Sequence, residues 1–259
     1  MLELPGARPF AHDGGRVGVL LCHGFTGSPA SMRPWAQFLT DEGVSVRLPL
    51  LPGHGTHWRD LQLTRWTDWF ATLEASFDEL RARCDRVFVG GLSMGATLAL
   101  RLAQTRGAQV AGLVLVNPSL LSLRKAMALL PVLEKVVPSV RGIGNDTMRP
   151  HVDEGGYDRT PLRALRSLTR LWAVTRADLA LVDQPLLVYR SAVDHVVEPA
   201  STAVLLSGVR SLDVEERVVR NSYHVATLDN DAELIFRGSL EFVRRLSTGA
   251  AKSPFAVQD

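Results

Sequence analysis

Cysteine is nearly absent: Cys22 and Cys84 are the only two in 259 residues. Each borders an apolar run, so both read as small interior residues; metal and redox sites need closer and more numerous partners. A surplus of charge is also missing. Lys and Arg number 29 against 27 Asp and Glu, a net charge of +2. No basic run is long enough to track phosphates, which argues against nucleic acid as a partner. No window of about 18 charge-free apolar residues occurs, so no helical membrane span is expected. The opening MLELPGARPFAHDGG lacks the charged start and apolar stretch of a secretion signal, and the expectation is a cytoplasmic protein. Repeats and low-complexity tracts are lacking too; the loose stretch expected is a tail over about 248–259.

What is present is an ordinary globular composition, 46% hydrophobic and 22% charged, enough for one domain of this length. Short apolar runs alternate with longer helical patterns. Val17 to Cys22, Val44 to Leu50, Val87 to Val89, Leu113 to Val116, Leu186 to Tyr189 and Glu215 to Val219 read as strands. Most are apolar along their whole length, as strands buried on both faces are. Between them, Ser28-Pro29 opens a helix with an N-cap and a proline at the first position. Trp66, Trp69, Phe70, Leu73, Phe77 and Leu80 recur at helical spacing, and Met94 to Thr105 and Asp231 to Leu246 also read as helices. The pattern predicts an α/β fold, a mostly parallel sheet covered by helices on both faces. After Pro118 the alternation stops until Leu186. The residues between, about 119–183, are too many for a loop and are expected to form a small helical cap inserted in a single domain spanning 1–259.

Gly91-Leu92-Ser93-Met94-Gly95 matches G-x-S-x-G, and its context carries the weight: an apolar strand precedes it and an Ala/Leu-rich helix follows. That strand–turn–helix holds a serine hydroxyl clear of the sheet edge; without the context, the segment would be a Gly-rich turn with a serine N-cap. A serine hydroxyl is a weak nucleophile and needs a base, itself oriented by a third group. In this fold the chain order is Ser, acid, His. Asp194 follows the strand ending near Tyr189, and His224 follows the last strand, so Ser93, Asp194 and His224 are the expected triad. His195 is adjacent to Asp194 but follows the wrong strand for a base. Asp183 precedes its strand, and Asp229 reads as a cap of the last helix. His54 and His57 lack a second ligand cluster and read as structural, so no metal or cofactor is expected. Acyl transfer also needs donors for a developing oxyanion. The backbone N–H groups of Met94 and Phe25 are the candidates, the second from the loop His23-Gly24-Phe25-Thr26-Gly27, with the Phe25 side chain walling the pocket and His23 anchoring the loop.

The segments HGFTGSPASMRPWA, LPGHGTHWRDL, FVGGLSMGATLAL, DHVVEPA and RNSYHVATLDND, in order from about residue 17 to 246, resemble the bacterial monoacylglycerol lipases of the Bacillus type and, more distantly, small bacterial carboxylesterases. The resemblance implies the α/β-hydrolase fold with a small cap, the same triad and the same oxyanion donors. It also implies cleavage of monoacylglycerols to fatty acid and glycerol through an acyl-enzyme on Ser93. This chain departs from the family in having Ala96 after Gly95, and it matches least in the cap, apart from GIGND and YDRTP. By its position three residues before Tyr157, Glu154 falls on the family's glycerol-recognising carboxylate. The cap supplies Leu129, Leu130, Val132, Leu133 and Ile143 as apolar wall, and the cap surface is expected to touch lipid surfaces transiently. Two other readings stay open: a general carboxylesterase for short to medium acyl esters, and a non-catalytic ligand-binding protein on the same fold. The intact Ser, Asp, His and oxyanion loop count against the second.

Overall fold

The computed structural model describes residues 4–248; most of the expected tail lies outside the described residues. Before the insertion come β1 (Phe10–His12), β2 (Val17–Cys22), β3 (Ser45–Leu48), β4 (Arg86–Leu92) and β5 (Val110–Val116). Within it β6 (Ser139–Arg141) pairs antiparallel with β7 (Arg159–Pro161), and β8 (Leu186–Ser191) and β9 (Val214–Val219) follow. The main sheet runs β1-β3-β2-β4-β5-β8-β9, parallel throughout except for β1, which pairs antiparallel with β3 at the edge. The sequence pattern does not show β1. It is three residues long and largely exposed, with no apolar alternation to read; Arg47 holds it by donating to the His12 carbonyl (3.1 Å) and to Asp13 (2.7 Å).

The helices are α1 (Arg33–Asp41), α2 (Trp58–Leu61), α3 (Trp66–Arg81), α4 (Met94–Arg106), α5 (Leu130–Val136), α6 (Leu162–Ala177), α7 (Ala200–Gly208) and α8 (Ala232–Thr248). Successive strand residues point to opposite faces, and here both faces are covered. Leu20, Val87, Val89, Leu115 and Val188 pack with buried residues of α3, α4 and α6. Their neighbours Leu21, Phe88, Val114, Leu187 and Tyr189 pack with α1 and α8. Within the insertion, α6 contributes Leu168, Leu171 and Trp172 to the first of these cores. It is thus part of the helical layer, and the stretch before it reaches over the strand ends. Parallel strands place all the loops that follow them at one edge, where ligands bind in open α/β sheets. Among the described residues no helix is long and apolar enough to cross a membrane.

Candidate active site

Ser93 stands between β4 and α4 at φ 55°, ψ −115°, a conformation that an L-residue adopts only under constraint from its surroundings. A Cβ on Gly91 would overlap the Gly95 backbone, and one on Gly95 would overlap the Cys22 carbonyl. Only glycine fits on either side of the serine, which is why the motif reads as it does. The Ser93 N–H donates to the Val116 carbonyl (2.9 Å), setting the turn against β5. Met94 is the first residue of α4, where backbone N–H groups have no intrahelical acceptor, and its side chain is fully buried.

The loop after β2 lies beside this turn: a Cβ on Gly24 would stand 3.6 Å from Ser93 Cβ. Buried His23 fastens it. Its Nε2 accepts from the Leu51 N–H (3.3 Å), so Nδ1 carries the proton and donates to the Gly24 carbonyl (2.9 Å). Burial pushes the His23 pKa down to about 4, so it stays neutral. Phe25 packs against Trp69 (5.8 Å between rings) and His54 (6.3 Å).

Asp194 and His224 follow β8 and β9, and their side chains are only 6% and 9% exposed. His224 Nδ1 donates to Asp194 Oδ2 at 2.8 Å, while Asp194 Oδ1 accepts the N–H groups of Val196 and Val197, both at 2.8 Å. Burial alone would lower the His224 pKa. The charge and hydrogen bond of Asp194, with Glu154 and Asp146 nearby, outweigh it and hold the imidazole above its ordinary 6.5. Burial opposes ionisation of Asp194 as well, but His224 and the two N–H donors keep the carboxyl below its ordinary 3.8. Ser93, His224, Gly24 and Phe25 line one cavity of about 310 Å³, within the size range of small-molecule sites. The structure thus brings Ser93, Asp194, His224 and the Phe25 loop together at the sheet's C-terminal edge.

Three polar residues that sequence reasoning missed or misread hold these loops. Asn117, just after β5 at φ 45°, donates to the His224 carbonyl (2.8 Å) and accepts from the Ser191 N–H (2.8 Å). Its place at a strand's C-terminal end, in a conformation asparagine tolerates, was the available signal. Asp229 is not a side-chain cap of α8. Its carboxylate accepts the N–H groups of Tyr223 (2.9 Å), Met148 (2.6 Å), Arg149 (2.8 Å) and Asn230 (2.9 Å), tying the insertion to the loop of His224. Tyr157 donates to the Gly53 carbonyl (2.8 Å) and accepts from the Thr56 N–H (2.9 Å), fastening the insertion to the loop after β3.

The rivals lie elsewhere. The His195 side chain is 53% exposed and pairs with Asp146. Asp183 is exposed ahead of β8. His54 is buried with Nδ1 on the Pro52 carbonyl, and His57 caps α2. Among the described residues no three His, Cys, Asp or Glu side chains are grouped as a metal site. Of the expected apolar wall, Leu130, Leu133 and Ile143 line the cavity. Leu129 and Val132 do not: they are 60% and 65% exposed. Residues three apart share a helix face; Leu130 and Leu133 take the inner face, leaving Leu129, Val132 and Val136 outside. Glu154 is on the cavity wall. Its Oε1 accepts from the Asn145 N–H (2.7 Å), yet burial outweighs that bond and holds the carboxyl above its ordinary 4.5.

A hydrolase family described as serine aminopeptidase, S33, matches residues 15–231. The chain belongs to this family. Among its relatives, the thermostable monoacylglycerol lipase of Bacillus sp. (strain H-257) is 43% identical over 241 residues, 92% of this chain and 95% of that one. The carboxylesterase of Bacillus subtilis (strain 168) is 25% identical over 240 residues, 92% and 97% of the two chains. A solved structure from work on the metagenome-derived lipolytic enzymes LipS and LipT superposes with a TM-score of 0.91 at 39% identity, covering 94% of this chain and all of that one. The family is thus the α/β-hydrolase group to which the sequence motifs pointed, and the parallel sheet and helical layers agree with it.

Proposed function

We propose that the protein hydrolyses carboxylic esters, monoacylglycerols first among them, through an acyl-enzyme on Ser93. Support comes chiefly from one arrangement: Ser93 and the Asp194-bonded His224 lie at one apolar cavity. In this reading His224 Nε2 takes the Ser93 Oγ proton as Oγ attacks the ester carbonyl. The Phe25 and Met94 N–H groups receive the oxyanion. Collapse breaks the bond to the alcohol, which leaves with the proton from His224. Water, deprotonated by the same imidazole, then releases the fatty acid and restores Ser93. The family description names aminopeptidases, which must hold a peptide's α-ammonium. Here the cavity is walled by Leu121, Leu130, Leu133, Leu165 and Trp172, which suits an acyl chain.

Glu154 reads a glycerol hydroxyl in this proposal. Glu154→Ala should lower kcat/KM on monoacylglycerol by about 1–3 kcal/mol, the range for a hydrogen bond to such a group. Short p-nitrophenyl esters, which carry no glycerol, should be unaffected. Equal losses on both would make Glu154 a brace of its own loop, and diacylglycerol cleaved as fast as monoacylglycerol would favour the general carboxylesterase reading.

Transient contact with lipid is part of the proposal. Leu129, Val132 and Val136 are 60%, 65% and 73% exposed, and Lys125, Lys135 and Arg141 on the same insertion are exposed as well. Apolar side chains flanked by cations suit an anionic interface. Co-sedimentation with phosphatidylglycerol vesicles should exceed that with phosphatidylcholine and fall in Val132→Asp; no binding to either vesicle would remove this part. A cytoplasmic setting completes it, in keeping with the unpaired, buried thiols of Cys22 and Cys84.

A further inference from the structure

Asp146 lies in the insertion between β6 and β7, its side chain 11% exposed. Its Oδ2 accepts the backbone N–H groups of both His224 (3.2 Å) and His195 (3.2 Å). Its Oδ1 accepts from His195 Nδ1 (2.7 Å), and its own carbonyl accepts the Val225 N–H (3.0 Å). Two of these bonds reach the loop of the base and two reach the residue after Asp194. The His195 ring also stands edge-on to Tyr223, 4.7 Å between centroids. Asp229 answers from the other side, taking N–H groups of Met148 and Arg149 on the insertion and of Tyr223 on the base loop. Two carboxylates, one from each partner, thereby clasp the insertion to the loops that carry Asp194 and His224.

We infer that Asp146 is a positioning residue: an insertion side chain that sets the His224 backbone against the acid loop and so fixes the imidazole over Ser93. The inference rests on the proposed triad. A carboxylate has about four lone-pair sites; Asp146 spends three on protein donors, so its part is to hold loops rather than substrate. The Asp194–His224 bond is made by side chains alone. The backbone beneath His224 is held by Asp146 at its N–H and by Asn117 at its carbonyl (2.8 Å). Loss of the Asp146 side chain frees the His224 N–H while Asn117 still holds the His224 carbonyl, and that lets the ring tilt over Ser93.

Misplacement of a catalytic group by about 1 Å can cost about 10²-fold in rate. Asp146→Ala is therefore expected to lower kcat by up to about that factor, equally on monoacylglycerol and on short p-nitrophenyl esters, with KM within about threefold of wild type. The low-field proton resonance of the His224–Asp194 hydrogen bond should shift or broaden. Asp146→Asn keeps an oxygen that can accept both N–H groups, and should recover most of the turnover and the resonance. Circular dichroism checks the fold of each variant. If the alanine variant does not fold, Asp146→Ser, too short to span both donors, takes its place with the same expectation. A loss carried by KM, or confined to monoacylglycerol, overturns the positioning role, as does an asparagine variant no better than alanine. Ester turnover surviving Ser93→Ala overturns the triad itself, whereas an inactive Ser93→Ala beside a fully active Asp146→Ala overturns the present inference alone.

Discussion

Ser93→Ala is expected to stay folded and to lose ester turnover by about 10⁶-fold, the scale on which removal of a serine nucleophile acts elsewhere. The fold should survive because the hydroxyl is not what holds the turn. Its shape comes from the close passage of Gly91 against Gly95 and of Gly95 against the Cys22 carbonyl, and from the Ser93 N–H on Val116 (2.9 Å). An alanine keeps all three. What it lacks is the oxygen that must bond to the substrate carbonyl, and no neighbour can replace it: Ser31, Ser119 and Ser122 line the same cavity, but none of them sits on a nucleophile turn. The oxyanion donors would remain, so turnover should stay above the uncatalysed rate. The check is steady-state hydrolysis of p-nitrophenyl butyrate together with covalent labelling by a fluorophosphonate. Retention of most of the activity by a folded Ser93→Ala would show that the nucleophile lies elsewhere.

The elbow was legible because its requirement is local: two glycines are forced by backbone contacts within the motif and with the adjacent strand. The strands were legible for a similar reason, since β2, β4, β5 and β8 are buried on both faces along most of their length and are therefore apolar apart from Arg86 at the start of β4 and Arg190-Ser191 at the end of β8. The residues that hold the loops of Asp194 and His224 were not. Asp146 meets His224 across 78 positions, and Asn117 meets it across 107; no periodicity encodes such a pairing. Asp229 misled because a carboxylate shortly before a helix has an obvious local use, while two of its four partners, Met148 and Arg149, lie about 80 residues away. Leu129 and Val132 failed for a geometric reason. A short helix entered through a 3₁₀ turn has too few residues for its inner face to be told from its outer one.

Asp194→Asn is expected to lower turnover by about 10⁴-fold, if it follows the best-studied serine protease triad. Two backbone donors give this site its own reason. Val196 and Val197 N–H both point at Oδ1, so the asparagine's carbonyl oxygen must occupy that position. Its amide NH₂ then takes the place of Oδ2, facing His224 Nδ1. Two donors cannot share a bond, so the imidazole proton moves to Nε2, the atom that must accept from Ser93. The pH profile should change with it. The base works in its neutral form, and His224 is held above 6.5 in the wild type, so activity should rise with pH through a midpoint above that value. Without the Asp194 charge, burial is opposed only by Glu154 and Asp146, and the midpoint of the residual activity should fall. Stability follows the same linkage with opposite sign for the base. The raised His224 pKa contributes stability below about 6.5 that is lost as pH rises through its folded value, so the enzyme should work best where this contribution is smallest. The depressed Asp194 pKa contributes above 3.8 and is lost as pH falls through its lower folded value, a contribution that the asparagine variant lacks. Rate–pH profiles and acid melts of the two proteins measure all of this. Full activity in Asp194→Asn, with Asp183→Asn inactive and folded, would move the acid to the other residue; an unchanged midpoint would mean that Asp194 does not set the charge of the base.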